Sequence, residues 1–243
     1  MDVKGKNVIV TGAGQGIGEA TALMLAELGA AKIVIADLNK SSLENVASKL
    51  SDLGAEAIVK VVDVSLPANV VSMFEEADRE TGGLDIVFNN AGIMAGAPDF
   101  PDTVMENMVR VIQVNLIAMM VGTRIAIAQM RENNRPGVIV NTSSVAAFGT
   151  MPADPAYAAS KVGILNFTQS CQPLHEQFNI RVMAVCPGVT DTAIVPHDAA
   201  WLQPALARVK ILQPSDIARA VCGIIADDSL AGDQVTVQNE PVL

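Results

Sequence analysis

Short β-branched and aliphatic runs recur along the chain, each followed by a longer segment with apolar positions at helical spacing. The runs predict strands at residues 7–11, 32–36, 57–62, 85–88, 138–141, 181–185 and 234–237. The first six are apolar nearly throughout, the pattern of strands covered on both faces. Helices are predicted between them at residues 16–28, 41–53, 67–81, 102–132, 157–177 and 214–227. Strand and helix in alternation build βαβ units. The expected fold class is therefore α/β, a doubly wound parallel sheet of seven strands with helices on both faces.

No repeat, linker or low-complexity tract interrupts this alternation, and 243 residues suit one such unit. Residues 1–243 are read as a single domain. The one long irregular stretch, residues 187–213, has the length of a lid or binding loop. Half of the residues are apolar, enough for a large core. Lys and Arg number 16 against 26 Asp and Glu, a net charge of −10, which excludes a general nucleic-acid or anionic-membrane surface. Three Cys and two His leave little for a disulfide framework or a metal centre, so no metal is expected. The start of the chain lacks the apolar core of a signal peptide. The apolar stretch 109–122 is interrupted by Arg110, Gln113 and Asn115, so no membrane span is expected and a cytoplasmic location is the default.

The first predicted strand ends in Thr11-Gly12-Ala13-Gly14-Gln15-Gly16-Ile17-Gly18. Glycines in a first βα turn let backbone amides approach a pyrophosphate, and the helix beginning near Gly16 offers its positive end to the anion. This makes the sheet Rossmann-type, with Gly12, Gln15, Gly16, Ile17 and Gly18 as candidate cofactor contacts. Asp37 closes the second strand, followed by Leu38. An acid there accepts hydrogen bonds from ribose hydroxyls and repels a 2′-phosphate. No basic residue flanks it, which favours NAD over NADP.

The only Tyr in the chain stands in Tyr157-Ala158-Ala159-Ser160-Lys161. Positions i and i+4 share a helix face, so the Lys161 ammonium lies near the Tyr157 phenol. A cation favours the phenolate, and a Tyr tuned toward neutral pH serves as a general acid or base. Ser144, after the fifth strand, adds a hydroxyl at a strand C-terminal end, where open α/β sheets bind ligands.

Together, Thr11–Gly18, Asn89-Asn90-Ala91-Gly92, Asn115, Ser144, Tyr157, Lys161 and Pro187-Gly188 resemble the short-chain dehydrogenase/reductase family. The resemblance spans nearly the whole chain. It implies a cofactor part at about 1–142 and a catalytic and substrate part at about 143–243, with a lid at 188–213. It further implies Tyr157 as proton donor and acceptor, and Lys161 lowering its pKa and holding the nicotinamide ribose. Ser144 would orient the substrate carbonyl, and Asn115 would bend its helix and support a proton relay. Asp63 and Val64 match the family's adenine-contacting pair. Asn90, Ala91 and Gly92 would pack beside the adenosine, and Pro187, Gly188, Thr190 and Thr192 would grip the nicotinamide. Residues 180–194 and 227–232 resemble the NAD-dependent branch around 15-hydroxyprostaglandin dehydrogenase, whose members often carry Gln where this chain has Asp154.

Asp154 is open to two readings, a hydrogen bond to substrate or a helix cap beside Pro155. The expected pocket walls are Met94–Ala97, Ala146–Pro152 and Ile194–Leu202, with Ser144, Met94, Met151, Asp154 and Trp201 as candidate substrate contacts. They are largely apolar and point to a hydrophobic secondary alcohol or ketone of steroid, aromatic or alicyclic type. Pro173 should kink the helix that carries Tyr157 or weaken it early. The apolar helix 102–132 and the family's pairing of helices across subunits imply a homodimer or homotetramer. The alternatives are an NADP-linked reductase of ketones or acyl-carrier substrates, and a catalytically silent dinucleotide sensor.

Overall fold

The computed structural model describes residues 1–242. Among them, seven strands form one sheet: β1 (Asn7–Thr11), β2 (Lys32–Asp37), β3 (Glu56–Val61), β4 (Ile86–Asn89), β5 (Gly137–Thr142), β6 (Ile180–Pro187) and β7 (Gln234–Val237). All neighbours are parallel, in the order β3-β2-β1-β4-β5-β6-β7. The chain builds outward from β1 to β3, then crosses back to lay β4 on the other side of β1. That reversal opens a crevice at the carboxyl ends of β1 and β4, where ligands of open sheets bind.

The helices are α1 (Gly16–Glu27), α2 (Lys40–Asp52), α3 (Pro67–Thr81), α4 (Met105–Ile112), α5 (Ala118–Glu132), α6 (Pro155–Ser170), α7 (Pro173–Phe178), α8 (Gln203–Leu206) and α9 (Pro214–Ala226). Side chains alternate across a strand, and this sorts the core into two layers. Val8, Val10, Ile86 and Phe88 pack with α1, α2 and α9. Ile9, Val34, Val87 and Ile139 face the other way, onto α3 and α5.

Four expectations are corrected. β3 is not covered on both faces: it is an edge strand, with Val59 and Val61 exposed. The long helix opens at Met105 rather than 102, and a π turn at Gln113–Ile117 separates α4 from α5. As a unit Met105–Glu132 is long and apolar enough to cross a membrane, by length and composition only. In this fold Val111, Ala118, Ala126 and Met130 spend that apolarity on the core. The helix predicted at 157–177 is two helices, because Pro173 has no N–H to continue the first and opens α7 at its first turn. The lid, expected to be irregular, holds α8 and is tied at its base by a bridge between Thr190 and Leu212.

Candidate active site

A cavity of about 550 Å³ occupies the crevice. One end is the glycine loop. Gly12 and Gly16 adopt φ of 63° and 59°, the left-handed region. A Cβ on Gly12 would lie 2.9 Å from the Cα of Ala91. Asn90 pins the loop from below, donating from Nδ2 to the carbonyls of Thr11 and Gly12 at 3.1 and 3.3 Å. Gln15, at the N-cap of α1, makes no side-chain bond to the first turn. The amides there carry the helix's positive end toward the cavity. Gly12, Gln15, Gly16 and Ile17 line it. Gly18 does not: a Cβ there would meet the Gly12 carbonyl at 2.1 Å, so its task is close packing of α1 on β1.

Asp37 is held rigid. Its Oδ2 accepts from the Gly14 amide and its Oδ1 from the Asn39 amide, both at 3.0 Å. It lines the cavity with Leu38, Asp63 and Val64. Asp63, hydrogen-bonded to Ser65 and facing Arg110, is held below the usual carboxylate range. Arg110, 3.5 Å from Asp63, also lines this end, and no sequence signal pointed to it. The cradle has room where side chains would clash, amides for a pyrophosphate and a carboxylate for ribose hydroxyls. These features fit a dinucleotide.

Ser144, Tyr157 and Lys161 converge beyond the end of β5. The Ser144 hydroxyl lies beside the Tyr157 phenol. Ser143 is turned inward instead, 1% exposed, donating to the Lys161 carbonyl at 2.8 Å. Lys161 Nζ sits 5.4 Å from the centre of the Tyr157 ring and donates to the Thr142 carbonyl at 2.9 Å. The expectation of a phenol tuned toward neutral pH is not met in this structure. Burial pushes Tyr157 above its usual range, Ser144 opposes that, and the charge of Asp154 adds to it. Desolvation of the phenolate is the largest of these causes.

Burial lowers Lys161 to about 8 from 10.5. The unfolded chain therefore holds this proton more tightly. The cost of the buried ammonium is borne in full below pH 8 and relieved as pH rises toward 10.5. Wild type should gain up to roughly 3 kcal/mol of stability from this group across that window, and Lys161→Met should gain none from it. Parallel denaturant titrations of the two proteins at several pH values measure the difference.

Asn115 falls within the π turn and is 1% exposed. It does not line the cavity. It holds Ile93 at both amide and carbonyl, and it donates to Ser160 Oγ at 3.1 Å. Asp154 is corrected as a substrate contact. Its carboxylate is buried and spent on the amides of Tyr157 and Ala95, so it caps α6 and does not reach the cavity.

The model of the short chain dehydrogenase family matches residues 6–203. The chain belongs to this family. It is similar to the probable oxidoreductase EphD of Mycobacterium bovis, 38% identical over 188 residues, which are 77% of this chain but 31% of EphD. The chain thus spans about a third of the length of that relative. It is 35% identical to 3beta-hydroxysteroid dehydrogenase 2 of Eggerthella lenta, over 78% of this chain and 73% of that one. Among solved structures it resembles an NAD+-bound xylitol dehydrogenase, with TM-score 0.86 and 28% identity over 98% of this chain and 99% of that one. The family binds a nicotinamide dinucleotide, NAD or NADP, and the cradle fits one.

The other end of this short-chain dehydrogenase's cavity is bounded by Met94, Met151 and Trp201. Pro187, Gly188, Thr190 and Thr192 form the lid's base, and Thr192 abuts Gly16. The segment after β7 reaches the lid. Asn239 accepts from the Val189 amide at 2.7 Å and donates to the carbonyls of Val189 and Lys210 at 2.7 and 3.0 Å. It clips both ends of the lid together, a role that no local pattern announces.

Proposed function

We propose that the protein is an NAD-dependent oxidoreductase interconverting a hydrophobic secondary alcohol and its ketone, of steroid, aromatic or alicyclic type. One observation carries this reading: Ser144, Tyr157 and Lys161 meet in the same cavity that Asp37 closes at its far end. A dinucleotide held along the glycine loop, Asp37 and Lys161 would supply the hydride acceptor for oxidation of the alcohol and the hydride donor for reduction of the ketone. Tyr157 takes the hydroxyl proton in oxidation and gives it back in reduction. Ser144 donates a hydrogen bond to the substrate oxygen, and buried Lys161 stabilises the phenolate and holds the nicotinamide ribose. The apolar walls and the hydroxysteroid dehydrogenase relative support the substrate class.

The raised phenol sets a pH dependence. Oxidation needs the phenolate, so its rate should climb with pH into the alkaline range. Reduction needs the phenol and should hold at neutral pH. A panel of secondary alcohols and ketones, followed at the absorbance of NADH between pH 6 and 10, measures both. Turnover of xylitol-like polyols alone would overturn the hydrophobic assignment.

The proposal includes a homodimer or homotetramer. Met105, Val109, Ile117, Met120 and Val162 expose an apolar face on α4, the π turn, α5 and α6, which a second copy would cover. A monomeric mass in solution would remove this part. It also includes a cytoplasmic setting, which the free thiols of Cys171, Cys186 and Cys222 suit.

A further inference from the structure

The segment between β4 and α4 carries Met94 into the cavity wall. Its two neighbours are gripped by their backbones. Asn115 accepts from the Ile93 amide at 2.8 Å and donates to its carbonyl at 3.0 Å. Asp154 accepts from the Ala95 amide at 2.7 Å, and Asn107 donates to the Ala95 carbonyl at 3.0 Å. The second oxygen of Asp154 accepts from the Tyr157 amide at 2.9 Å. One carboxylate, 4% exposed, thus ties the wall to the helix of the acid/base.

We infer that Asp154 is a positioning residue that fixes the gap between the Met94 wall and the Tyr157 hydroxyl, and with it which alcohols fit. The inference rests on the reaction proposed above. A Ser would cap α6 as well as Asp does. A hydroxyl, however, has no second oxygen with which to take the Ala95 amide as well. The carboxylate has a second consequence: its charge disfavours the phenolate. Around the phenol the charged groups are Asp154 behind it and Lys161 one turn on. Ser144 faces it from the end of β5, and the packed wall presents only Ile93, Ala95, Met108 and Val111.

The test compares wild type, Asp154→Ser and Asp154→Asn. Dinucleotide binding is read by Trp201 fluorescence, and kcat and KM over alcohols of graded bulk, with pH profiles. Both variants should bind NAD within about threefold of wild type, because neither touches the cradle. Asp154→Ser should lower kcat by about 10- to 100-fold, the effect of small misplacement. It should also change the preference between small and bulky alcohols. In Asp154→Asn the alkaline rise of oxidation should move to lower pH, because the charge behind the phenol is gone. Unchanged selectivity with an unmoved pH profile overturns the inference while leaving the reaction intact. A wild type that oxidises no secondary alcohol overturns both. Should the Asp154 variants not fold, Asn107→Ala frees the same residue at its carbonyl, in the next peptide along. Changed selectivity there supports the inference, and unchanged selectivity overturns it.

Discussion

Replacing Tyr157 with phenylalanine should lower turnover by about 10²- to 10⁴-fold, the range that a positioned general acid or base supplies. No other phenol can stand in for it, because it is the only Tyr in the chain. The ring should stay where it is. It packs against Ile93, Ala95, Met108 and Val111, and those contacts need no hydroxyl. At neutral pH the phenol is un-ionised in the folded and unfolded chain alike, so its raised pKa carries no stability cost there and stability should change little. Dinucleotide binding should change by less than about threefold, since the variant leaves the glycine loop and Asp37 untouched. Single-turnover kinetics and a Trp201 fluorescence titration separate the two effects. Wild-type turnover in Tyr157→Phe would eliminate the proposed mechanism, whereas loss of binding and turnover together would point to a collapsed site.

The second large effect concerns Asp37. Asp37→Ala should weaken NAD by about 10- to 100-fold, the worth of hydrogen bonds to a charged group. NADP should bind no worse and should gain, because the repulsion of its 2′-phosphate is gone. Asp37 also accepts from the amides of Gly14 and Asn39, so part of the loss in the alanine variant comes from a loosened loop. Asp37→Asn distinguishes the causes. It removes the charge yet keeps one carbonyl acceptor, so NADP should improve with a smaller loss of NAD. Calorimetric titration with each dinucleotide gives the ratio. If that ratio is the same in all three proteins, Asp37 does not select the cofactor.

Both effects were legible in the linear chain because each rests on short-range order. Tyr157 and Lys161 are one helical turn apart, and Asp37 follows its own strand. The strand set was legible too, since a doubly covered strand must be apolar throughout. The same rule misjudged β3, because an edge strand and a central strand can share a composition and differ only in their neighbours. The phenol's pKa was misread for a related reason. Spacing shows a nearby cation, but only packing shows how much water both groups have lost.

The chain by itself determined the alternation of strand and helix, the glycine loop, the acid after β2 and the Ser, Tyr and Lys of the site. Periodicity and spacing within a few residues specify all of these. The tertiary structure decided what lies between distant segments. It set Arg110 against Asp63 across 47 residues, clipped the lid with Asn239 across 50 and tied Ala95 to Asp154 across 59. Such contacts have no local periodicity, because they form only when the sheet brings separate loops to the same carboxyl end.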